Sequence, residues 1–164
     1  MRGRAFFAPA LALVSLAAQA DDLQNWFNDP FFSLTSAMPE CPEPAGPRVT
    51  LAERQIQAHR RAEKGTTCWL AKEAGCDRPN AYAYDRDIAT EILSSIQARH
   101  PFPNTSLWVT VQGRVVYIEG CVPDESEAAE IEAFVRELPH VQRAIAIVKA
   151  SNSADLPYRL FAPR

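Results

Sequence analysis

The chain is a single, mildly acidic polypeptide of 164 residues, in which 17 Lys and Arg side chains stand against 20 Asp and Glu. This length allows one domain with appendages and excludes a large multidomain enzyme. With 47% hydrophobic and 23% charged residues, the composition is that of an ordinary globular protein, which excludes a fully disordered chain and a fibrous rod.

The first twenty residues have the organisation of a secretory signal peptide. Arg2 and Arg4 precede an apolar run from Ala5 to Ala18, and Ala18-Gln19-Ala20 is a cleavage motif of small residues. The apolar run is shorter than a bilayer-spanning helix requires. We therefore expect cleavage after Ala20 and a periplasmic mature chain that starts at Asp21 and contains no transmembrane span. An uncleaved N-terminal anchor is the alternative.

The charge and the cysteines of the mature chain limit its partners and its chemistry. Removal of the leader subtracts Arg2 and Arg4, so the net charge falls from −3 to −5. Nucleic-acid binding is not expected, because that affinity depends on basic groups. An even number of cysteines in an oxidising compartment favours two disulfides over a metal site or redox use. The cysteines are Cys41, Cys68, Cys76 and Cys121.

The segment from Cys68 to Cys76 restricts how these disulfides can form. If it were helical throughout, the two Cα atoms would lie about 12 Å apart, whereas a disulfide tolerates at most about 7 Å. Either the segment is a compact loop closed by a Cys68–Cys76 bond, or each cysteine pairs elsewhere. We prefer the local pair, together with a bond between Cys41 and Cys121. A zinc site is less consistent with the sequence, because no His lies at ligand spacing.

Residues 21–49 are interpreted as an aromatic arm followed by a proline-rich spacer. Four prolines within residues 39–47 favour an extended, semi-rigid chain. The arm shows neither a helical nor a strand period. We expect its rings to dock onto a partner protein or a membrane surface; folding back onto the domain is the rival outcome. These rings belong to Trp26, Phe27, Phe31 and Phe32.

Residues 50–84 are expected to form a helical and loop segment that contains two of the cysteines. Thr50 and Glu53 have the spacing of a capping box, and Gly65 is expected to end the helix. The apolar positions that alternate with charged ones are Leu51, Ile56 and Ala62. The basic residues are Arg54, His59, Arg60, Arg61 and Lys64. A solvated helix side is the preferred interpretation of this basic stretch, and a phosphate-binding patch is the alternative.

Residues 85–150 show the pattern of a small α+β sandwich in the order αββαβ. Asp85 is expected to cap the first helix, and the sequence from His100 to Pro103 ends it. The apolar stripe of this helix is Ile88, Ile92, Leu93 and Ile96. Residues 107–111 alternate as a half-buried strand, and residues 115–122 form the returning strand of a hairpin.

A second helix and a third strand complete the predicted module. Asp124 and Glu127 are expected to cap the helix, Pro139 ends it, and residues 141–150 form the strand. Both helices can cover one face of the sheet while the other face stays partly open. Residues 151–164 are a C-terminal tail. A core of this size is marginal, so we expect the cysteines and the preceding helical segment to add stability and to cover the open face.

The module resembles the BON domain family (bacterial OsmY and nodulation). The resemblance rests on the element order, on the hairpin of residues 109–122 with its alternating core of Val116, Ile118, Gly120 and Val122, and on the acidic helix. It implies a non-catalytic module without a cofactor, which binds phospholipid surfaces or envelope proteins in envelope maintenance or osmotic and envelope stress. It does not extend to the arm or to the Cys68–Cys76 segment.

The residues point away from catalysis as well. The three histidines are scattered, and no nucleophile-elbow, metalloprotease or phosphate-loop motif is present. Gly113 and Gly120 are structural candidates, for the hairpin turn and for a close backbone approach. The expected function is therefore lipid or partner binding in the envelope. The alternative is an adaptor of a secretion or transport assembly that docks through the aromatic arm, and an unrecognised hydrolase or metalloenzyme is the least favoured interpretation.

Overall fold

The computed structural model describes residues 22–71, 76–150 and 155–161. The predicted signal peptide and its cleavage site lie outside these residues. The elements in chain order are β1 (Phe31–Ser36), α1 (Leu51–Ala71), a short 3-10 helix (Ala81–Tyr84), α2 (Asp85–Arg99), β2 (Ser106–Gln112), β3 (Val115–Val122), α3 (Glu127–Arg136) and β4 (Arg143–Ala150).

The strands form one four-stranded sheet in the order β1-β2-β3-β4. β2 and β3 pair as the predicted antiparallel hairpin, with Thr110 opposite Tyr117. At its turn Gly113 and Arg114 both have positive φ, +58° and +69°, as a tight two-residue hairpin requires. β4 is parallel to β3, and α3 makes the crossover between them. The α+β class and the predicted order αββαβ are confirmed.

One face of the sheet, the inner face, forms the main core together with α2 and α3. Alternate strand residues such as Val109 and Ile118 pack there against helix residues such as Ile92 and Ile131. The predicted stripe of α2 is correct except at Leu93, which is 38% exposed, because Leu93 lies five positions from Ile88 and therefore turns away from the sheet.

The N-terminal arm does not extend away from the domain. Residues 31–36 form β1, which pairs antiparallel with β2 at the edge of the sheet, with Phe32 opposite Val109. The absence of a period in the arm was therefore misleading, because an irregularity between Ser33 and Thr35 breaks the alternation of a six-residue strand. The fold thus includes a fourth strand from outside the predicted module.

The α1 helix begins as predicted but continues past Gly65. Thr50 Oγ1 accepts the N–H of Glu53 at 3.2 Å, and Glu53 Oε2 accepts the N–H of Thr50 at 2.7 Å, which is a complete capping box. Gly65 does not end the helix; it is buried where a Cβ would lie 2.9 Å from Nδ2 of Asn80. The missing side chain is therefore explained by close packing and not by helix termination.

The two aspartates that were expected to cap helices act elsewhere. Asp85 is the first residue of α2, and its carboxylate accepts the N–H groups of Gly113 and Arg114 in the hairpin turn at 2.7 and 2.8 Å. Asp124 accepts the N–H of Ser126, and α3 starts only at Glu127, without a side-chain cap. The Asp85 cap was inferred from local spacing, which does not reveal a tertiary hydrogen-bond partner, whereas the partner of Asp124 is the nearby Ser126.

Candidate binding site

The α1 helix turns a polar side toward the outer face of the sheet, opposite the main core. The half-buried positions of its first four turns are polar residues at spacings of three and four, namely Glu53, Gln57, Arg61 and Lys64. The apolar residues Ile56 and Leu70 are instead 65% and 67% exposed. The apolar positions that alternate with charged ones in the sequence, Leu51, Ile56 and Ala62, are all exposed.

A groove lies between this polar side of α1 and the outer face of the sheet. Two cavities of about 320 Å³ and about 190 Å³ share Gln57, Gln112 and Tyr117 and thus form one continuous depression. The remaining lining of the larger cavity is Arg60, Arg61, Lys64, Tyr82 and Val115. The remaining lining of the smaller cavity is Gly46, Pro47, Val49, Thr110 and Glu119. The groove is therefore built by four separate parts of the chain: the loop before α1, α1, the 3-10 helix and the β2–β3 hairpin.

A buried ion pair fixes one wall of this groove. Arg61 donates to both carboxylate oxygens of Asp29, at 3.0 and 2.5 Å, and Gln112 Nε2 donates to Asp29 Oδ2 at 2.8 Å. The Arg61 guanidinium also lies between the rings of Phe27 and Tyr82, 4.0 and 4.2 Å from their centroids. The charge of Arg61 is thus compensated, and this contact connects the arm, α1 and β2.

Two polar groups in the floor of the groove are poorly hydrated. The Thr110 side chain is 3% exposed, and its hydroxyl has no hydrogen-bond partner among the described residues. Burial raises the pKa of the Glu119 carboxyl above its ordinary value. Close by, burial and the charge of Glu119 raise the pKa of Tyr158 to about 12. An unpaired hydroxyl in a protein interior is costly, so Thr110 Oγ1 is an unsatisfied polar group beneath the floor of the groove.

The charge of the groove changes along its length. Arg60 and Lys64 line the end near Val115, and Glu119 lines the other end. Val115 and Glu119 are four residues apart on β3, which corresponds to about 13 Å at the rise of a strand. Lys64 Nζ donates to the neutral Oε1 of Gln142 at 3.1 Å, so this contact leaves its charge uncompensated.

The four cysteines form the preferred disulfides, Cys41–Cys121 and Cys68–Cys76. The Cys68–Cys76 bond does not close a loop made only of irregular chain, because Cys68 lies in α1. The Cα atoms of the two cysteines are 5.3 Å apart. The guanidinium of Arg114 lies against this bond, with Nη1 2.6 Å from Cys76 Sγ. Both bonds fit an oxidising compartment.

The four aromatic residues of the arm are half-buried within the fold. The Trp26 indole N–H donates to the carbonyl of Val49 at 2.8 Å. Phe31 lies beneath the guanidinium of Arg48, and Phe32 packs against the main core. These contacts attach the arm to the domain. The proposed role of these rings in binding stays a prediction.

The two glycines identified from the sequence occupy constrained positions. Gly113 lies in the hairpin turn, and a Cβ there would meet Lys64 and Tyr82 at 3.2 to 3.3 Å. Gly120 has φ +148°, and a Cβ would lie 2.1 Å from the carbonyl oxygen of Ser106. Gly120 thus allows β3 to approach β2 closely.

Neither a metal centre nor a membrane-spanning helix is found in the part of the chain that the structure describes. There, no three His, Cys, Asp or Glu side chains come together as metal ligands. None of the helices described combines the length and the apolar character that a bilayer crossing requires.

Comparison with protein families assigns the class of the sheet and its two inner helices. This two-layer αββαβ arrangement is a small fold of the α+β class. Residues 84–148 match the family model of the BON domain. The BON domain match covers 65 of the 164 residues, and β1, α1 and the loop before α1 come from the residues that precede it. Comparison with curated proteins and with solved structures gave no match.

Sequence reasoning missed the groove for two reasons. Its floor residues, Thr110 and Glu119, lie in strands that the period-two pattern identifies, but that pattern does not show which outward residues another segment will cover. The polar side of α1 has a signal in the sequence, since Glu53, Gln57, Arg61 and Lys64 recur at helical spacing. A regular polar spacing is usually taken for a solvated side, and here it marks the contacting side.

Proposed function

We propose that this protein is a non-catalytic periplasmic protein that binds the phospholipid surface of the envelope, in envelope maintenance or the response to osmotic and envelope stress. The BON domain supports a binding role at the envelope. The observation that carries the lipid assignment is the outward side of α1, where apolar side chains project to solvent from a basic helix.

The composition of α1 matches that of helices that lie on membrane surfaces. Ile56 is 65% exposed, and Arg60 follows it by one turn. Arg54 and Arg60 have no acidic partner among the described residues, whereas Glu53 pairs with Arg159 and Glu63 with His59. An apolar residue beside uncompensated cations favours an anionic lipid surface. Each cation near such a surface contributes about 1 kcal/mol to the free energy of binding. The α1 helix can therefore attract an anionic surface although the net charge of the chain is negative.

Flotation of the mature protein with vesicles tests the assignment. We expect binding to vesicles that contain phosphatidylglycerol and much weaker binding to neutral phosphatidylcholine vesicles, with the difference reduced at high salt. Arg60→Gln should weaken binding about fivefold, the equivalent of about 1 kcal/mol. Ile56→Ser should weaken it further, because it removes the apolar contact.

Matched controls lie on α2. Leu93→Ser removes an exposed leucine, and Arg86→Gln removes an exposed arginine, and neither residue belongs to α1. Both variants should bind vesicles as the parent protein does. Equal loss in all four variants, or equal binding to neutral and anionic vesicles, would contradict the proposal.

The periplasmic location is tested separately. Export followed by cleavage after Ala20 predicts that the mature protein starts Asp-Asp-Leu. N-terminal sequencing of the protein from a periplasmic fraction should give this sequence, whereas a membrane-bound chain that keeps Met1 would show an uncleaved anchor.

The aromatic arm supports a second candidate, an adaptor that docks onto a partner protein. It rests on the partial exposure of Trp26, Phe27, Phe31 and Phe32. Docking through these rings predicts that Phe27→Ser abolishes capture of an envelope protein without affecting vesicle flotation. Loss of thermal stability with capture intact would show that the ring is only structural.

A further inference from the structure

We propose that the free edge of β1 and the apolar cavity beside it bind an extended apolar segment of a partner protein, which pairs with β1 as a further strand. Three observations carry this assignment: the backbone groups along the edge, the contrast with the opposite edge of the sheet, and the position of the cavity. The inference is independent of the lipid surface on α1. It also differs from docking through the aromatic rings, because it depends on the backbone of the arm.

The backbone of β1 presents hydrogen-bonding groups on the side away from β2. Within the part of the chain that the structure describes, β1 pairs only with β2. The N–H of Val111 donates to the carbonyl of Pro30 at 3.1 Å, so these residues are a hydrogen-bonded pair. Such pairs alternate with non-hydrogen-bonded pairs along an antiparallel ladder. The N–H and C=O groups of Phe31 and Ser33 therefore point away from β2, and both residues precede the irregularity in the strand.

The opposite edge of the sheet, along β4, is closed by side chains. Glu132 Oε1 accepts the N–H of Ala146 at 3.0 Å, and Glu125 Oε1 accepts the N–H of Ala150 at 3.4 Å. β4 also carries an arginine and a lysine. Charged side chains are a usual means of preventing an edge strand from pairing with another chain. The sequence of β1 contains neither a charged residue nor a proline, so this edge remains able to pair.

An apolar cavity of about 270 Å³ lies at the same edge, on the side of the sheet that α2 covers. The strand residues in its wall, Leu34 and Thr35, both belong to β1. The end of α2 and the loop after it complete the wall with Ile96, Pro101, Phe102 and Pro103. Because side chains of a strand alternate between the two faces, every second side chain of an added strand points to the side of the cavity. One of them can enter it, which favours Val, Ile or Leu at that position.

A peptide matches this surface better than an acyl chain or a second copy of the protein. An acyl chain along β1 would displace water from the backbone groups of Phe31 and Ser33 without replacing the hydrogen bonds, which costs free energy. A second copy of β1 could supply those hydrogen bonds, but its apolar side chains Phe32 and Leu34 already pack against its own core. An extended peptide supplies both the backbone groups and a free apolar side chain.

Selection from a phage-displayed library of random linear peptides on the mature protein tests this assignment. We expect the selected peptides to carry Val, Ile or Leu at alternate positions. In NMR experiments a selected peptide should protect the amides of Phe31 and Ser33 from exchange with solvent. N-methylation of alternate residues of the peptide should weaken binding about tenfold in one frame and leave it unchanged in the other, because an added strand uses the backbone groups of every second residue.

Two variants of β1 separate the backbone contact from a side-chain contact. Ser33→Pro removes one outward N–H, which an edge strand tolerates because its neighbour does not use that group. It should weaken peptide binding about tenfold and leave the thermal midpoint nearly unchanged. Ser33→Ala keeps the N–H, is the matched control and should bind as the parent does.

The proposal is overturned if no alternating apolar peptide is selected, if N-methylation in both frames has the same effect, or if Ser33→Pro binds as the parent does. A dimer that Ser33→Pro dissociates would assign the edge to a second copy and would also overturn it. If Ser33→Pro does not fold, the N-methylated peptides decide the question with the parent protein. Vesicle flotation should be the same for Ser33→Pro and the parent, so the lipid assignment can fail or hold independently.

Discussion

Arg61 on α1 forms a bidentate ion pair with Asp29 in the segment before β1, and the Asp29 side chain is only 3% exposed. The pair connects two segments that lie outside the BON domain. Gln112 of β2 also donates to Asp29, so the pair attaches these segments to the central sheet.

Loss of Arg61 should therefore destabilise the fold strongly. Arg61→Met leaves a buried carboxylate without its cation, which costs about 3 kcal/mol. The neighbouring variant Arg60→Met changes an exposed arginine and should cost less than about 0.5 kcal/mol. Urea unfolding measures both values. Adding Asp29→Asn to Arg61→Met should recover part of the loss, and purely additive effects of the two substitutions would show that the residues are not coupled.

The buried carboxyl of Asp85 should give stability a specific pH dependence. Burial raises its pKa to about 6, although the hydrogen bonds from the backbone N–H groups of Arg114 and Gly113 lower the pKa in part. The folded state therefore holds this proton more tightly than the unfolded state, whose pKa is 3.8. The contribution of the protonated Asp85 carboxyl to the free energy of unfolding is fully present below pH 3.8 and is lost as the pH rises through 6.

The comparison with Asp85→Asn isolates this effect from that of the other carboxylates. The free energy of unfolding of the parent protein, relative to that of the variant, should fall by about 2 to 3 kcal/mol between pH 3.5 and pH 7. Urea titrations at both pH values supply the numbers. A relative stability that is constant over this range would mean that Asp85 ionises normally.

The two disulfides should differ in their contributions to stability. The Cys41–Cys121 bond spans 80 residues and the Cys68–Cys76 bond spans 8. Loop entropy gives roughly 4 to 5 kcal/mol for the long bond and about 2.5 kcal/mol for the short one. Thermal unfolding of the paired alanine variants, Cys41→Ala with Cys121→Ala and Cys68→Ala with Cys76→Ala, should show the larger loss for the first pair. The reverse order would mean that contacts of the short bond, such as that with Arg114, outweigh loop entropy.

Gly120 should tolerate substitution less well than Gly113. In Gly120→Ala the new methyl group would meet the backbone of Ser106 at 2.1 Å, so two paired strands must separate. In Gly113→Ala the new methyl group meets the flexible Lys64 side chain and Tyr82 at 3.2 to 3.3 Å. The main loss of stability, about 1 kcal/mol, comes from placing an alanine at positive φ. Denaturation midpoints compare the two, and a milder effect at Gly120 would show that β2 shifts easily.

Features that depend on neighbouring residues could be predicted from the sequence. The capping box of Thr50 and Glu53, the hairpin turn at Gly113 and the strand of residues 115–122 all follow from local spacing, and the structure contains each of them. The periodic apolar residues of the BON domain likewise predicted its element order.

Features that depend on distant partners could not be predicted in this way. β1 is defined by its pairing with β2, more than seventy residues later, and its own sequence shows no clean alternation. Asp85 has the sequence position that is usual for a helix cap, but its carboxylate instead accepts hydrogen bonds from two backbone N–H groups of the hairpin turn. Thr110 belongs to a predictable strand on the face that the preceding helical segment was expected to cover, whereas the part of its cover that comes from residues 46–49 was not expected.

The pairing of β1 with β2 also affects the order in which the chain can fold. β1 is made first but has no strand to pair with until β2 has been synthesised, and Cys41 must wait for Cys121, 80 residues later. In the oxidising compartment that the signal peptide predicts, Cys68 and Cys76 enter before Cys121 and are therefore the first native pair available for oxidation. Premature bonding of Cys41 to either of them is therefore the misfolding route to which this topology exposes the nascent chain.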